Sequence, residues 1–210
     1  MKPFGIDIDD VLARFAPKMF ECLNMRYPGI KPVDQWDTFF WSEINGIPYD
    51  SFIQHIIEDD LLTTCEAIPS AVRAMKSIKD SGHQIVLITS RGYHPQAYEM
   101  TLAWLKANDI PFDDLVIVPA RQTKAQATIH KYPKGFMYMV DDNAQNLDDM
   151  KEAGLVANTI LIDQPWNQSR KDYKAGVSRF KTLSDFVFAL KQPAVREDYQ
   201  PMEPSFRTVY

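Results

Sequence analysis

Five short, continuously apolar runs separated by stretches of helical periodicity constrain this chain more than any other feature. They are Phe4 to Asp9, apolar before it ends in acids, QIVLITS at 84–90, LVIV at 115–118, FMYMV at 136–140 and NTILI at 158–162. Runs that are apolar at successive positions rather than alternate ones suit strands covered on both faces, the habit of parallel sheets. The segments between them read as helices. Ser70 is placed to cap one that continues through Asp80, with Val72, Met75 and Ile78 at helical spacing and Gly82 just beyond. Pro95 to Asn108 is a second, with Tyr98, Leu102 and Leu105 on one face. A short helix is expected near Thr123 to Lys131, and another ends at Ala153 before Gly154. This alternation predicts an α/β fold, a doubly wound parallel sheet with helices on both faces.

Residues 15–69 break the alternation. Helical patterns near Ala16 to Tyr27 and Ser51 to Asp59 flank the aromatic segment WDTFFWSEINGIPY at 36–49. The stretch is expected to form a small helical cap inserted after the first strand, leaving 1–14 and 70–191 as the core. Residues 192–210 hold three prolines without periodicity and are expected to run as an extended tail.

A net charge of −5 and the lack of any lysine or arginine run argue against a long nucleic acid as partner. A small phosphate ester in a local cationic pocket remains compatible. Acids interrupt the N-terminal ten residues where a leader would need apolar ones, and no window approaches ~18 apolar residues, so neither secretion nor membrane spanning is expected. Cys22 and Cys65 have no metal-ligand spacing, which makes the cytoplasm the default compartment. A homodimer is left open.

In an open parallel sheet, reactive groups collect where the strands end. The first strand ends in Asp7-Ile8-Asp9-Asp10, and a period of two puts Asp7 and Asp9 on one side. One carboxylate can attack phosphorus, and a second can protonate the leaving alkoxide and then deprotonate water. After the second strand, Thr89 and Ser90 offer hydroxyl and backbone N–H donors to phosphate oxygens, with Gly92 available for a tight turn. Lys124, past the third strand, can neutralise a phosphorylated aspartate. Asp141 and Asp142, ending the fourth, repel each other unless a cation is present, and hard oxygen donors favour Mg²⁺. Each feature alone has a plain explanation as a cap, loop or surface charge; their joint order points to phosphoryl transfer.

At these residues the chain resembles the haloacid dehalogenase-like superfamily: GIDIDDVL matches its first motif, VLITS its second and MVDDN its fourth. The resemblance implies a Rossmann-type core, with Asp7 as nucleophile and Asp9 as acid/base. It implies Mg²⁺ held by Asp7, Asp141 and the Asp9 backbone carbonyl, with Asp142 in support. Thr89 and Ser90 would hold the phosphoryl group, and Lys124 would be the third-motif lysine. Dehalogenases lack the second acid and the metal. Two departures stand out: Asp10 replaces a smaller or uncharged residue, and Lys124 lies far before Asp141, leaving Lys131 and Lys134 as rivals.

Within the superfamily the chain is most similar to the 5′(3′)-deoxyribonucleotidases, on the strength of FFWSEINGI in the cap, ITSRG, and ILIDQPWNQ at 160–168. That resemblance implies a nucleobase covered by cap aromatics, here Phe39, Phe40 and Trp41. Arg91 reads either as a phosphate or sugar contact or as half of a surface salt bridge. His94 reads as a loop residue rather than a ligand, and Asn167 belongs to a PWN element of underived role. The expected function is hydrolysis of nucleoside monophosphates. The alternatives are a phosphatase of sugar phosphates or nucleic-acid 3′ ends, and a non-catalytic binding protein on the same fold.

Overall fold

β1 (Phe4–Ile6) lies inside a six-stranded parallel sheet in the order β3-β2-β1-β4-β5-β6. Its neighbours are β2 (Ile85–Gly92) and β4 (Phe136–Asp141), and Ile6 is in register with Leu87 on one side and Val140 on the other. Outward lie β3 (Asp114–Pro119), β5 (Val156–Ile162) and β6 (Val177–Phe180). The computed structural model describes residues 2–169 and 177–192. Except for Gln192, the tail expected over 192–210 lies outside the described residues.

The strand order reverses at β1: the chain first builds toward β3, then returns to add β4 on the opposite side. Such a switch opens a crevice beyond the carboxyl ends of the strands, which is where Asp7 and Asp141 emerge.

The apolar runs feed both faces of the sheet. Ile85 and Leu87 join a cluster with Met75 and Ile78 of α5 (Pro69–Asp80), Leu105 of α6 (Ala97–Ala107) and Phe186 of α9 (Leu183–Lys191). Val86 and Ile88 point the other way, toward Ala125 of α7 (Lys124–Thr128) and Leu147 and Met150 of α8 (Ala144–Glu152). Burying such a side chain stabilises the fold by about 1.5–3 kcal/mol, so each strand contributes to two cores at once.

Several local expectations need correction. Ser70 does not cap α5: Pro69 already occupies its first turn, where a missing N–H costs nothing, and Ile68 stands in the cap position. On α6 the buried side is Ala97, Thr101, Trp104 and Leu105, while Tyr98 is exposed, because the apolar stripe is displaced from the one read off the sequence. Gly92 does not serve through backbone freedom. A Cβ there would sit 2.2 Å from the Val118 carbonyl oxygen, so close strand approach excludes a side chain. β6 and α9 went unforeseen, although Thr182 caps α9 by accepting the Asp185 N–H at 3.1 Å, a Thr-x-x-Asp signal legible in the sequence.

Between β1 and α5 the chain forms α1 (Phe15–Arg26), α2 (Trp41–Ile44), α3 (Tyr49–Glu58) and α4 (Leu61–Thr64). The two ends of this insertion are stitched together. Ala13 bridges Ala67, Arg14 N–H donates to the Glu66 carbonyl at 2.9 Å, and Ile68 N–H donates to that of Leu12 at 2.7 Å. Its aromatic segment divides: Trp36 and Trp41 are buried, with ring centroids 5.3 Å apart, whereas Phe39 and Phe40 are exposed.

Candidate active site

The turn after β1 sets the first acids. Asp7 N–H still donates to the Val140 carbonyl at 2.9 Å, so the strand ladder fixes its backbone. The Ile8 carbonyl then accepts the N–H groups of Leu12 at 2.8 Å and Ala13 at 2.9 Å, folding the chain back on itself. Ile8 goes into the core, whereas Asp7 and Asp9 line one cavity, as the period of two predicts. Asp10 takes the left-handed conformation at φ +56°, a region short acidic side chains tolerate. Its carboxylate accepts the Ala16 N–H at 3.0 and 3.1 Å, satisfying the start of α1. The unusual acid at this position therefore holds the turn and the entry to the insertion.

Lys124 opens α7 behind a capping box in which Thr123 Oγ1 accepts the Gln126 N–H at 3.1 Å and Gln126 Oε1 accepts that of Thr123 at 3.0 Å. Its ammonium, fully buried, lies 2.7 Å from Asp141 Oδ2 and 2.8 Å from Asp7 Oδ1. One ammonium is thus shared between two carboxylates, and the contact to Asp141 is an aligned hydrogen bond. Lys131 is instead paired at 2.6 Å with Asp114. Lys131 and Lys134 line another cavity with Pro3, Gln84 and Gly135, which precede β1, β2 and β4. Of the three lysines, Lys124 is the one brought to the acids.

Oxygens of Asp7, Asp141 and Asp142 lie within 4.8 Å of one another, and all three residues are buried. Asp141 Oδ1 accepts the Asn143 N–H at 2.9 Å, and Asn146 Nδ2 stands 3.2 Å from both Asp141 oxygens. Trp166 Nε1 donates to Asp142 Oδ2 at 2.8 Å. The Asn167 amide donates to the carbonyls of Asp142 and Ile162 at 2.8 Å, and Arg179 Nη1 donates to its oxygen at 2.7 Å. The PWN element thus ties the loop after β4 to the end of β5, a role no sequence signal revealed.

Burial pushes the Asp7 carboxyl up to about 7; Lys124 opposes the rise, while Asp141 and Asp9 add to it. Asp142 is likewise raised by burial, then by Asp141, Asp7 and Asp10. Burial pulls Lys124 down, but Asp141 and Asp7 outweigh it and hold the ammonium above the ordinary lysine range. Three buried carboxylates facing one ammonium leave an excess of negative charge that a hard divalent cation would balance. The donor set, three buried carboxylates with oxygens within 4.8 Å of one another, fits such an ion.

Above these acids is a cavity of about 770 Å³. Ser90, Asn143 and Asn146 line it beside the acids, and Phe39, Phe40 and Trp41 of the insertion contribute to its walls. Thr89 is buried in the adjoining strand with its hydroxyl unpartnered. Sequence reasoning missed Tyr93, which also lines the cavity and buries an unpartnered hydroxyl. Arg91 is fully buried, does not line the cavity, and grips Asp9, so it forms an ion pair, but a buried one rather than the surface salt bridge expected from the sequence. His94 accepts the Gln96 N–H at 3.0 Å, a loop contact.

Solved structures share this architecture. The L-2-haloacid dehalogenase of Xanthobacter autotrophicus superposes with a TM-score of 0.61 at 12% identity, covering 92% of this chain and 100% of that one. The D,D-heptose 1,7-bisphosphate phosphatase of B. bronchiseptica, complexed with magnesium and phosphate, gives 0.57 at 14% identity with the same coverage. Among sequences, a candidate 5′(3′)-deoxyribonucleotidase of Chlorobaculum tepidum is 26% identical over 182 residues, covering 81% of this chain and 83% of that protein. A candidate nucleotidase of Oceanobacillus iheyensis is 26% identical over 183 residues, covering 82% and 93%. Residues 2–192 match the model of the 5′ nucleotidase, deoxy (pyrimidine), cytosolic type C proteins, and the chain belongs to that family of phosphatases.

Proposed function

We propose that this chain is a Mg²⁺-dependent phosphomonoesterase that hydrolyses nucleoside monophosphates, deoxyribonucleotides above all, through an aspartyl-phosphate on Asp7. The observation that carries the reading is the buried trio Asp7, Asp141 and Asp142 with Lys124, set beneath an aromatic-walled cavity. Asp7 and Asp141 would hold Mg²⁺ with the Asp9 backbone carbonyl, and Asp142 supports them. When bound, the ion supplies positive charge that lets one anion approach another.

An Asp7 oxygen forms a bond to phosphorus as the ester P–O bond breaks, and Asp9 gives the leaving oxygen its proton. Asp9 then takes a proton from water, whose oxygen displaces Asp7 and frees phosphate. The Thr89 hydroxyl and Ser90 are suited to hold the phosphoryl oxygens, and Lys124 offsets their charge. Phe39, Phe40 and Trp41 offer flat faces to a base, with residues 15–69 acting as the cap over the core. Cys22 and Cys65 are both free, in keeping with a cytoplasmic setting, and among the described residues no helix is long and apolar enough to cross a membrane.

Phosphate release from dUMP, dTMP, sugar phosphates and 3′-phosphorylated oligonucleotides, with and without Mg²⁺, tests the proposal. The nucleotides should lead and chelation should stop the reaction. Preference for a sugar phosphate, or turnover indifferent to chelator, would overturn it.

A further inference from the structure

Arg91 stands next to last in β2 with no exposed surface, and each of its three guanidinium nitrogens has a partner. Nε donates to Asp9 Oδ2 at 3.0 Å and Nη2 to Asp9 Oδ1 at 2.5 Å, a two-pronged grip. Nη1 donates to Thr101 Oγ1 at 3.1 Å, and the guanidinium carbon lies 5.9 Å from the Trp104 ring centre. Thr101 and Trp104 are buried on α6, and Trp104 is itself anchored by donating Nε1 to the Cys65 carbonyl at 2.7 Å.

Burying a guanidinium is costly, and a fork-shaped pair fixes both the position and the plane of its carboxylate in a way an exposed pair does not. Asp9, by contrast, lines the cavity and keeps 22% of its side chain exposed. Each of its oxygens retains a lone pair beyond the one Arg91 occupies. The grip therefore orients Asp9 without consuming it.

We infer that Arg91 is a positioning residue for Asp9, aiming that carboxylate at the ester oxygen of the substrate. The inference rests on Asp9 being the proton carrier, as proposed above. Proton transfer requires the donor to stand roughly 2.6–3.2 Å from the oxygen it serves, so a swivelling Asp9 would lose the contact. The step itself is unchanged: the Asp7–phosphorus bond forms, the ester bond breaks with its electron pair on the leaving oxygen, and the Asp9 proton goes to that oxygen.

Leaving groups provide the test. A nucleoside leaves as a strongly basic alkoxide and needs the proton, whereas an activated aryl phosphate leaves without one. With Mg²⁺ present, Arg91→Met should lower kcat/KM for dUMP by about 10²-fold or more while kcat/KM for p-nitrophenyl phosphate changes far less. Arg91→Lys, which keeps the charge and loses the fork, should fall between, and Thr101→Val should show a weaker form of the same signature. In an Asp9→Asn background Arg91→Lys should add no further loss. Should Arg91→Met fail to fold, Arg91→Lys and Thr101→Val decide the matter. Equal losses on both substrates, or additive losses with Asp9→Asn, would show a merely structural arginine. If Asp9→Asn itself lacks the leaving-group signature, the proton-carrier reading fails instead.

Discussion

Near opposite ends of the same sheet lie two cavities, each beside a group of lysines and aspartates, and the two groups differ in how deeply they are buried. The cavity at the start of the strands is the larger, about 920 Å³ against 770 Å³, and holds Lys131, Lys134, Asp113 and Asp114. Its acids have matched partners. Burial is outweighed for Asp113 by Lys79 and the Ile85 N–H, and for Asp114 by Lys131 and Tyr132, so both carboxyls sit below their ordinary range. At the far end, burial drives Asp7, Asp10 and Asp142 upward, and Lys124 is too little charge for the acids around it. Identical residue types become partly exposed ion pairs in one place and a buried cluster with more carboxyls than ammonium in the other. Depth of burial decides which.

The sharpest way to break this contrast is Asp7→Asn, which should lower turnover by at least about 10⁴-fold in a phosphate-release assay. The same variant reports on the charge imbalance. Asp7 rises from 3.8 to about 7, so between those pH values the metal-free folded chain keeps a proton that the unfolded chain has released. The Asp7 contribution to stability therefore falls as pH climbs from about 4 to about 7, and Asp7→Asn should lack that contribution to the slope, read as Tm against pH in chelator. Asp113 and Asp114 act with the opposite sign, their contribution being lost as pH drops. An equal slope in both proteins would mean that Asp7 is not under strain.

How much of this was legible in the sequence follows the same line. The parallel sheet was readable because runs such as QIVLITS are apolar on both faces, and Asp7, Asp9, Thr89, Ser90 and Asp141 fall at strand ends that alternation alone locates. Arg91 was ambiguous because an arginine after a strand gives no sign of how deeply it lies or whom it meets, and its partner is 82 positions away. The choice among Lys124, Lys131 and Lys134 was equally closed to spacing, since it depends on which end of the sheet each reaches. Asp10 and Asn167 act on backbone groups brought near by folding, so no local pattern marks them.

Lys124 sharpens the comparison from the cationic side. Replacing it with Met leaves Asp7 and Asp141 without their shared ammonium, and breaking a buried pair of this kind costs about 3 to 5 kcal/mol. Urea unfolding of Lys124→Met in chelator should show that loss, and saturating Mg²⁺ should recover part of it by binding the folded form. No loss in chelator would mean that the ammonium and the acids do not depend on each other.

The smallest expected effect is the most direct check on burial as the deciding variable. Lys131 meets Asp114 at 2.6 Å, as short as the Lys124 contacts, but 57% of its side chain is exposed. Solvent screens such a pair and the flexible lysine loses entropy in forming it, so Lys131→Ala should cost less than about 1 kcal/mol in the same urea series. Turnover should not change, because the residue stands at the other end of the sheet from Asp7. A loss comparable to that of Lys124→Met would mean that contact distance, rather than depth, sets the strength of these pairs.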